Sequence, residues 1–216
     1  PLAVPNSRLV VLNLRRTGVS DLSPLLPCPI EELILSGTEV KSLHALRGKN
    51  LRRLEINGLK VNDLSPLSGK PLRVLEAGQT SVRDLNPLRN MPLVRLNLAE
   101  IGAFDFGALK TLTLIEDLDV SGTQFKDLTL VKAMPLRSLR IARTKIGEIT
   151  PLKEMNLRAL DIADTPVRDL EPISRLPLER LNLSGTKVNS LAPLQKMRLR
   201  HLELARTPVR ALAPLQ

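Results

Sequence analysis

The sequence predicts an α/β repeat solenoid: ten short parallel strands forming a curved sheet on the concave side, with short 3₁₀ turns and loops on the convex side. Two observations predict it. Leu12, Leu33, Leu54, Leu75, Leu96, Leu118, Leu139, Leu160, Leu181 and Leu202 fall in one register, every step 21 residues except one of 22. Counted from Leu9, six columns of the unit are apolar in all ten units, sixty positions without exception. Self-similarity held over so many units is the mark of a stacked array rather than of a chance alignment.

Each element follows from the spacing inside a unit. Leu12-Asn13-Leu14 and its equivalents alternate apolar and polar with a period of two, as a half-buried strand does. One short strand per unit, all running the same way, makes a parallel sheet whose open face carries the residues between the leucines. A Thr follows the strand in eight units, with Leu59 and Ile101 in the other two, where a hydroxyl can bond the turning backbone. Next comes Asp-Leu-x-Pro-Leu, complete at Asp21 to Leu25, Asp63 to Leu67 and Asp84 to Leu88. Asp suits the start of a helical turn and Pro its first turn, but the unit is too short for more than a brief 3₁₀ segment. Cys28 stands in a column that in six other units holds Met91, Leu112, Met134, Met155, Leu176 and Met197, and is expected to be a buried structural thiol.

The composition agrees. Of 216 residues 43% are hydrophobic, yet only Phe104, Phe106 and Phe125 carry rings, so the core is built of Leu, Ile and Val. A single Cys excludes an internal disulfide framework. No apolar run approaches the ~20 residues that span a bilayer, and Pro1 to Arg8 has no signal-like stretch, so nothing here fixes the compartment.

The unit L-x-x-L-x-L-x-x-T-x-V-x-D-L-x-P-L resembles the leucine-rich-repeat family, specifically the short-unit bacterial class typified by internalins. The resemblance covers Leu9 to Gln216, with two departures: Thr stands where Asn is usual at the turn, and the units are one residue shorter. It implies a concave wall that binds protein ligands. On this reading residues 1–216 are one domain of ten units. Pro1-Leu2 reads as the tail of an earlier unit and Pro214 to Gln216 stops partway through the tenth, so the chain is expected to be a piece of a longer protein with further domains.

Charge separates two surfaces. The centre of the concave sheet holds Asn13, Ile34, Glu55, Glu76, Asn97, Asp119, Arg140, Asp161, Asn182 and Glu203, five acidic and one basic. All of these except Ile34 are the candidate partner-binding residues. With strands about 4.8 Å apart, Glu55 should repel Glu76, whereas Arg140 can pair with Asp119 or Asp161. One lateral edge carries sixteen basic residues, Lys49, Lys70, Lys153, Arg175, Lys196, Arg198 and Arg200 among them, against Glu31, Glu116, Glu154 and Glu179. That excess is larger than the whole chain's +10, which leaves the rest slightly acidic.

The 22-residue unit, Leu93 to Leu114, lacks the Thr and the Pro of the repeat pattern and contains two of the three Phe. Phe106 occupies a leucine column. Phe125, one unit on, is expected to fill the volume left beside the small Ala103. Phe104 points outward by register: either an anchor for a partner or a ring covered by a local bulge.

Catalytic chemistry has no foothold. The only histidines, His44 and His201, lie eight units apart, roughly 38 Å at ordinary strand spacing, and cannot share a site or a metal. No nucleotide-binding glycine loop or nucleophile elbow occurs, so no catalytic residue, metal or cofactor is expected. The leading expectation is a non-catalytic protein-binding module working through the concave face. The alternatives are electrostatic docking of the basic edge onto nucleic acid, anionic lipid or an acidic protein, or a structural spacer. The near absence of aromatic residues argues against single-strand base stacking.

Overall fold

The computed structural model describes residues 8–215, so the terminal segments read above as cut units, Pro1-Leu2 and Gln216, lie outside it. The chain divides into two compact units, Pro1–Ile115 and Glu116–Gln216, and the division falls at the end of the 22-residue repeat.

Unit 1 contains β1 (Val11–Asn13), β2 (Glu32–Ile34), β3 (Arg53–Glu55), β4 (Val74–Glu76) and β5 (Arg95–Asn97). They pair in parallel and in chain order, with Leu12, Leu33, Leu54, Leu75 and Leu96 in register. Unit 2 repeats the plan with β6 (Asp117–Asp119), β7 (Ser138–Arg140), β8 (Ala159–Asp161), β9 (Arg180–Asn182) and β10 (His201–Glu203). There Leu118, Leu139, Leu160, Leu181 and Leu202 align. Each strand is three residues long, because only the central leucine and the residue two further on turn inward before the chain must bend.

The six apolar columns form the core. Leu54, Ile56, Leu67, Leu72 and Leu75 in unit 1, and Leu139, Ile141, Leu152, Leu157 and Ile162 in unit 2, are buried. Each such side chain contributes about 2 kcal/mol of burial. Cys28, Phe106 and Phe125 are buried as expected.

A short 3₁₀ segment closes each repeat, such as Ser23–Leu25, Ser65–Leu67 and Glu171–Ile173. The preceding Asp accepts the N–H two residues on: Asp21 from Ser23 at 2.8 Å, Asp63 from Ser65 at 2.7 Å, Asp169 from Glu171 at 2.9 Å. That bond, with the Ser65 hydroxyl, holds the Asp63 carboxyl below its usual range. The 22-residue repeat accommodates its extra residue in the return after Leu112, where Leu114 is exposed, and its 3₁₀ segment lengthens to Gly107–Thr111. No bulge covers Phe104, which is 76% exposed.

Between strand and Thr, every described repeat passes through the left-handed region. The column is Arg16, Gly37, Gly58, Gln79, Glu100, Gly122, Arg143, Asp164, Gly185 and Arg206, all with φ between 54° and 77°. The Thr hydroxyl then donates to the carbonyl three residues back, as Thr123 does to Val120 (2.6 Å) and Thr165 to Ile162 (2.6 Å). Thr38 is the exception: its hydroxyl is buried and makes no hydrogen bond.

Candidate functional site

The first and third residues of each strand stand on the face opposite the leucines, and no helix packs over that face in either unit among the described residues. The third-position column contains all nine candidate contact residues, and register places Asn13, Glu55, Glu76 and Asn97 in unit 1 and Asp119, Arg140, Asp161, Asn182 and Glu203 in unit 2.

Much of that column's polar chemistry is already spent on the backbone. Asn13, Asn97, Asp119, Asp161 and Asn182 each accept, through Oδ1, the N–H of the residue two positions on, at 2.9 to 3.0 Å. This bond ties the end of the strand to the start of the left-handed turn, where an N–H would otherwise go unmet. The Asn and Asp side chains therefore have one oxygen or the amide group left to offer a partner.

In unit 1 the face is organised around Glu55, which is buried despite its charge. Arg53 donates to one of its oxygens and Arg15, two repeats earlier, to the other at 2.6 Å. Burial raises its pKa and the two guanidiniums lower it; the guanidiniums prevail and the carboxylate sits below its usual range. Glu76 is half-buried on the neighbouring strand, in register with Glu55, whose two arginine partners come from its own strand and from two repeats earlier. The rest of this face is apolar in patches: Val11 is exposed, and Ile34 and Val74 are half-buried.

In unit 2 the column holds three carboxylates, Asp119, Asp161 and Glu203, with Arg140 among them. Arg140 reaches back to Asp117 at 3.2 Å and lies 3.9 Å from Asp119. Asp161 is half-buried, and burial, helped by Asp119 and Glu203, raises its pKa against the opposing Ala163 N–H and Arg140. Beside this column run the small residues Ser121, Ala142, Ala163 and Ser184, all buried. His201 stands next to Arg180 on the first-position column.

The basic edge is not uniformly a surface charge. Lys49 and Lys70 fall in the inward column of Cys28 and Met91, and both turn their amino groups onto carbonyls of the repeat before. Lys49 Nζ donates to Cys28 O at 2.8 Å and also to Leu26 O; Lys70 Nζ donates to Lys49 O at 2.7 Å. Lys70 is 7% exposed, and burial together with Lys49 lowers its pKa. These two lysines serve the stacking of unit 1, and a periodicity that scores them as edge charges misses it. Their place in a Met and Leu column was the available signal.

Among the described residues no three His, Cys, Asp or Glu side chains gather as a metal site, and no helix is long and apolar enough to cross a membrane.

No protein-family model matches the sequence, and no curated protein matches it. Solved structures do. An internalin, InlF, from Listeria monocytogenes superimposes with a TM-score of 0.73 at 24% identity, over 96% of this chain and 77% of that one. A second Listeria monocytogenes protein, internalin C2, gives 0.68 at 22% identity, over 90% and 80%. The plant peptide hormone receptor RGFR1, in complex with RGF2, gives 0.69 at 14% identity over 92% of this chain and 36% of the receptor. At these identities the likeness is one of fold.

Proposed function

We propose, from the premise that the chain has the leucine-rich-repeat fold in its internalin-like form, that it is a non-catalytic protein-binding module whose ten repeats act as one array. The contact surface is the open sheet face. One observation carries the reading: a ladder of strands presents polar side chains outward with none of the described residues packed over them, while the opposite face is buried. A rigid, preformed face limits the ordering cost of binding. RGFR1, a plant peptide hormone receptor of similar fold, is in complex with RGF2, which supports a ligand-binding use here. The acidic column of unit 2 favours a ligand with basic or polar side chains. Exposed Phe104 offers a separate apolar contact on the flank of unit 1.

The test is selection of a phage-displayed random peptide library on the immobilised chain, followed by binding of the enriched peptides to two variants. Glu76→Gln/Asp119→Asn/Asp161→Asn removes charge but keeps every Oδ1 acceptor that caps a turn, so the backbone bonds survive. Enriched peptides should carry basic residues and lose roughly tenfold or more in affinity to this variant. Phe104→Ser reports on the flank. Peptides that bind all three proteins equally would exclude the face.

A further inference from the structure

The basic edge of unit 2 contains a cleft that is charged out of proportion to its counterpart two repeats earlier. It lies between the returns of successive repeats, has a volume of about 540 Å³, and is floored by Leu176, Pro177, Leu178 and Met197. Arg158, Arg175, Lys196, Arg198 and Arg200 surround it, with Glu179 as the only carboxylate. The cleft at the corresponding place two repeats earlier, about 380 Å³, is lined by Lys132, Arg137 and Lys153 against Glu116 and Glu154, which is close to balance.

Glu179 orders part of this ring without neutralising it. Arg158 Nη1 is 3.0 Å from Glu179 Oε1 and Arg200 Nε is 4.0 Å from Oε2, so the carboxylate holds one guanidinium by a hydrogen bond and a second faces it loosely. Arg175, Lys196 and Arg198 make no ion pair among the described residues. Five cations around an apolar floor produce a field that a single carboxylate ligand would leave mostly unmet. Guanidinium forks match tetrahedral oxyanions in two-point geometry. The volume is that of a small-molecule site, and no aromatic ring lines it for base stacking.

We infer that this cleft binds a compact small molecule bearing several phosphate or sulfate esters, with Arg175, Lys196 and Arg198 as the reading side chains. The site is separate from the sheet face and does not depend on the peptide-binding proposal.

Calorimetric titration of the full chain at about 0.15 M salt tests it, with inositol hexakisphosphate and sucrose octasulfate as probes. The expected result is saturable one-to-one binding of at least one probe, and the probe that binds identifies phosphate or sulfate as the source. Arg175→Ala/Lys196→Ala/Arg198→Ala should weaken it roughly tenfold or more, while Lys132→Ala/Lys153→Ala at the balanced cleft changes it less than about twofold. Arg198→Glu, which alters one exposed side chain, should reproduce part of the loss with thermal unfolding unchanged. Binding of neither probe, equal weakening by both sets of substitutions, or equal affinity for a single-stranded oligonucleotide would each overturn the inference, the last in favour of diffuse nucleic-acid docking.

Discussion

Asp161 and Glu55 occupy the same position of the repeat and titrate in opposite senses. Burial raises Asp161, so the folded chain takes up its proton at higher pH than the unfolded chain, whose carboxyl titrates near 3.9. Its contribution to stability is therefore greatest at acid pH and declines as pH rises through the raised folded value. Asp161→Asn keeps the bond to Ala163 and should match or exceed the wild type in urea unfolding at pH 7, losing that advantage by about pH 3. Glu55 is lowered, so it contributes above its unfolded pKa and the contribution is lost as pH falls through the folded value. Because Arg15 and Arg53 are themselves partly solvated, Glu55→Gln should cost only about 1 kcal/mol at pH 7, and progressively less as pH falls through the lowered folded value. The Thr column supplies a paired comparison. Thr165→Val removes a donor to a buried carbonyl and should cost about 1 kcal/mol, whereas Thr38→Val removes a hydroxyl that bonds nothing and should be neutral or stabilising by thermal unfolding. The sequence made the column visible, since polar residues recur between leucines, but charge counting could not tell a capping Asp119 from a buried, doubly paired Glu55. That distinction depends on which N–H lies two residues on and on how far Arg15 reaches across two strands.

At the scale of the element, strand and 3₁₀ segment were legible because their signals are local: a period of two around each leucine, and Asp and Pro at fixed offsets. The left-handed residue was not. Glycine marks it in only four repeats, while Arg16, Gln79, Glu100, Arg143, Asp164 and Arg206 adopt it at a steric cost. Gln79→Gly should relieve about 0.5–1 kcal/mol of that cost even though it removes the bond from Gln79 to Glu100, which is exposed and worth little. Gly185→Ala is the opposite case. Besides its φ of +70°, the added Cβ would fall 2.1 Å from Asp164 Oδ1, the oxygen that also faces Arg206 at 3.0 Å. The substitution should lower stability by about 1–2 kcal/mol in denaturant titration. Lys49 and Lys70 escaped the one-dimensional reading for a related reason: a long stem places an ammonium on the carbonyls of the repeat before, which position along the chain does not reveal.

At the scale of the whole molecule, the proposal that ten repeats act as one array has a thermodynamic signature. Repeat stability is set by each unit and its neighbours, and strong coupling makes the array unfold as one. Leu75→Ala in unit 1, a cavity worth about 2–5 kcal/mol, should then lower a single transition seen equally by probes in both units. A transition of unit 2 left at its wild-type midpoint would contradict one array. The repeats were legible as a set because every apolar column is filled, while the ligand was not, because nothing in the period encodes what the outward residues meet. The central claim is that the open sheet face binds protein. Backbone amide shifts of the isotope-labelled chain, followed while a selected peptide is added, test it most directly. The largest changes should cluster at third strand positions and the two residues after them, such as Asp119 to Ser121 and Asp161 to Ala163. Changes confined to the 3₁₀ segments and the return loops would contradict it.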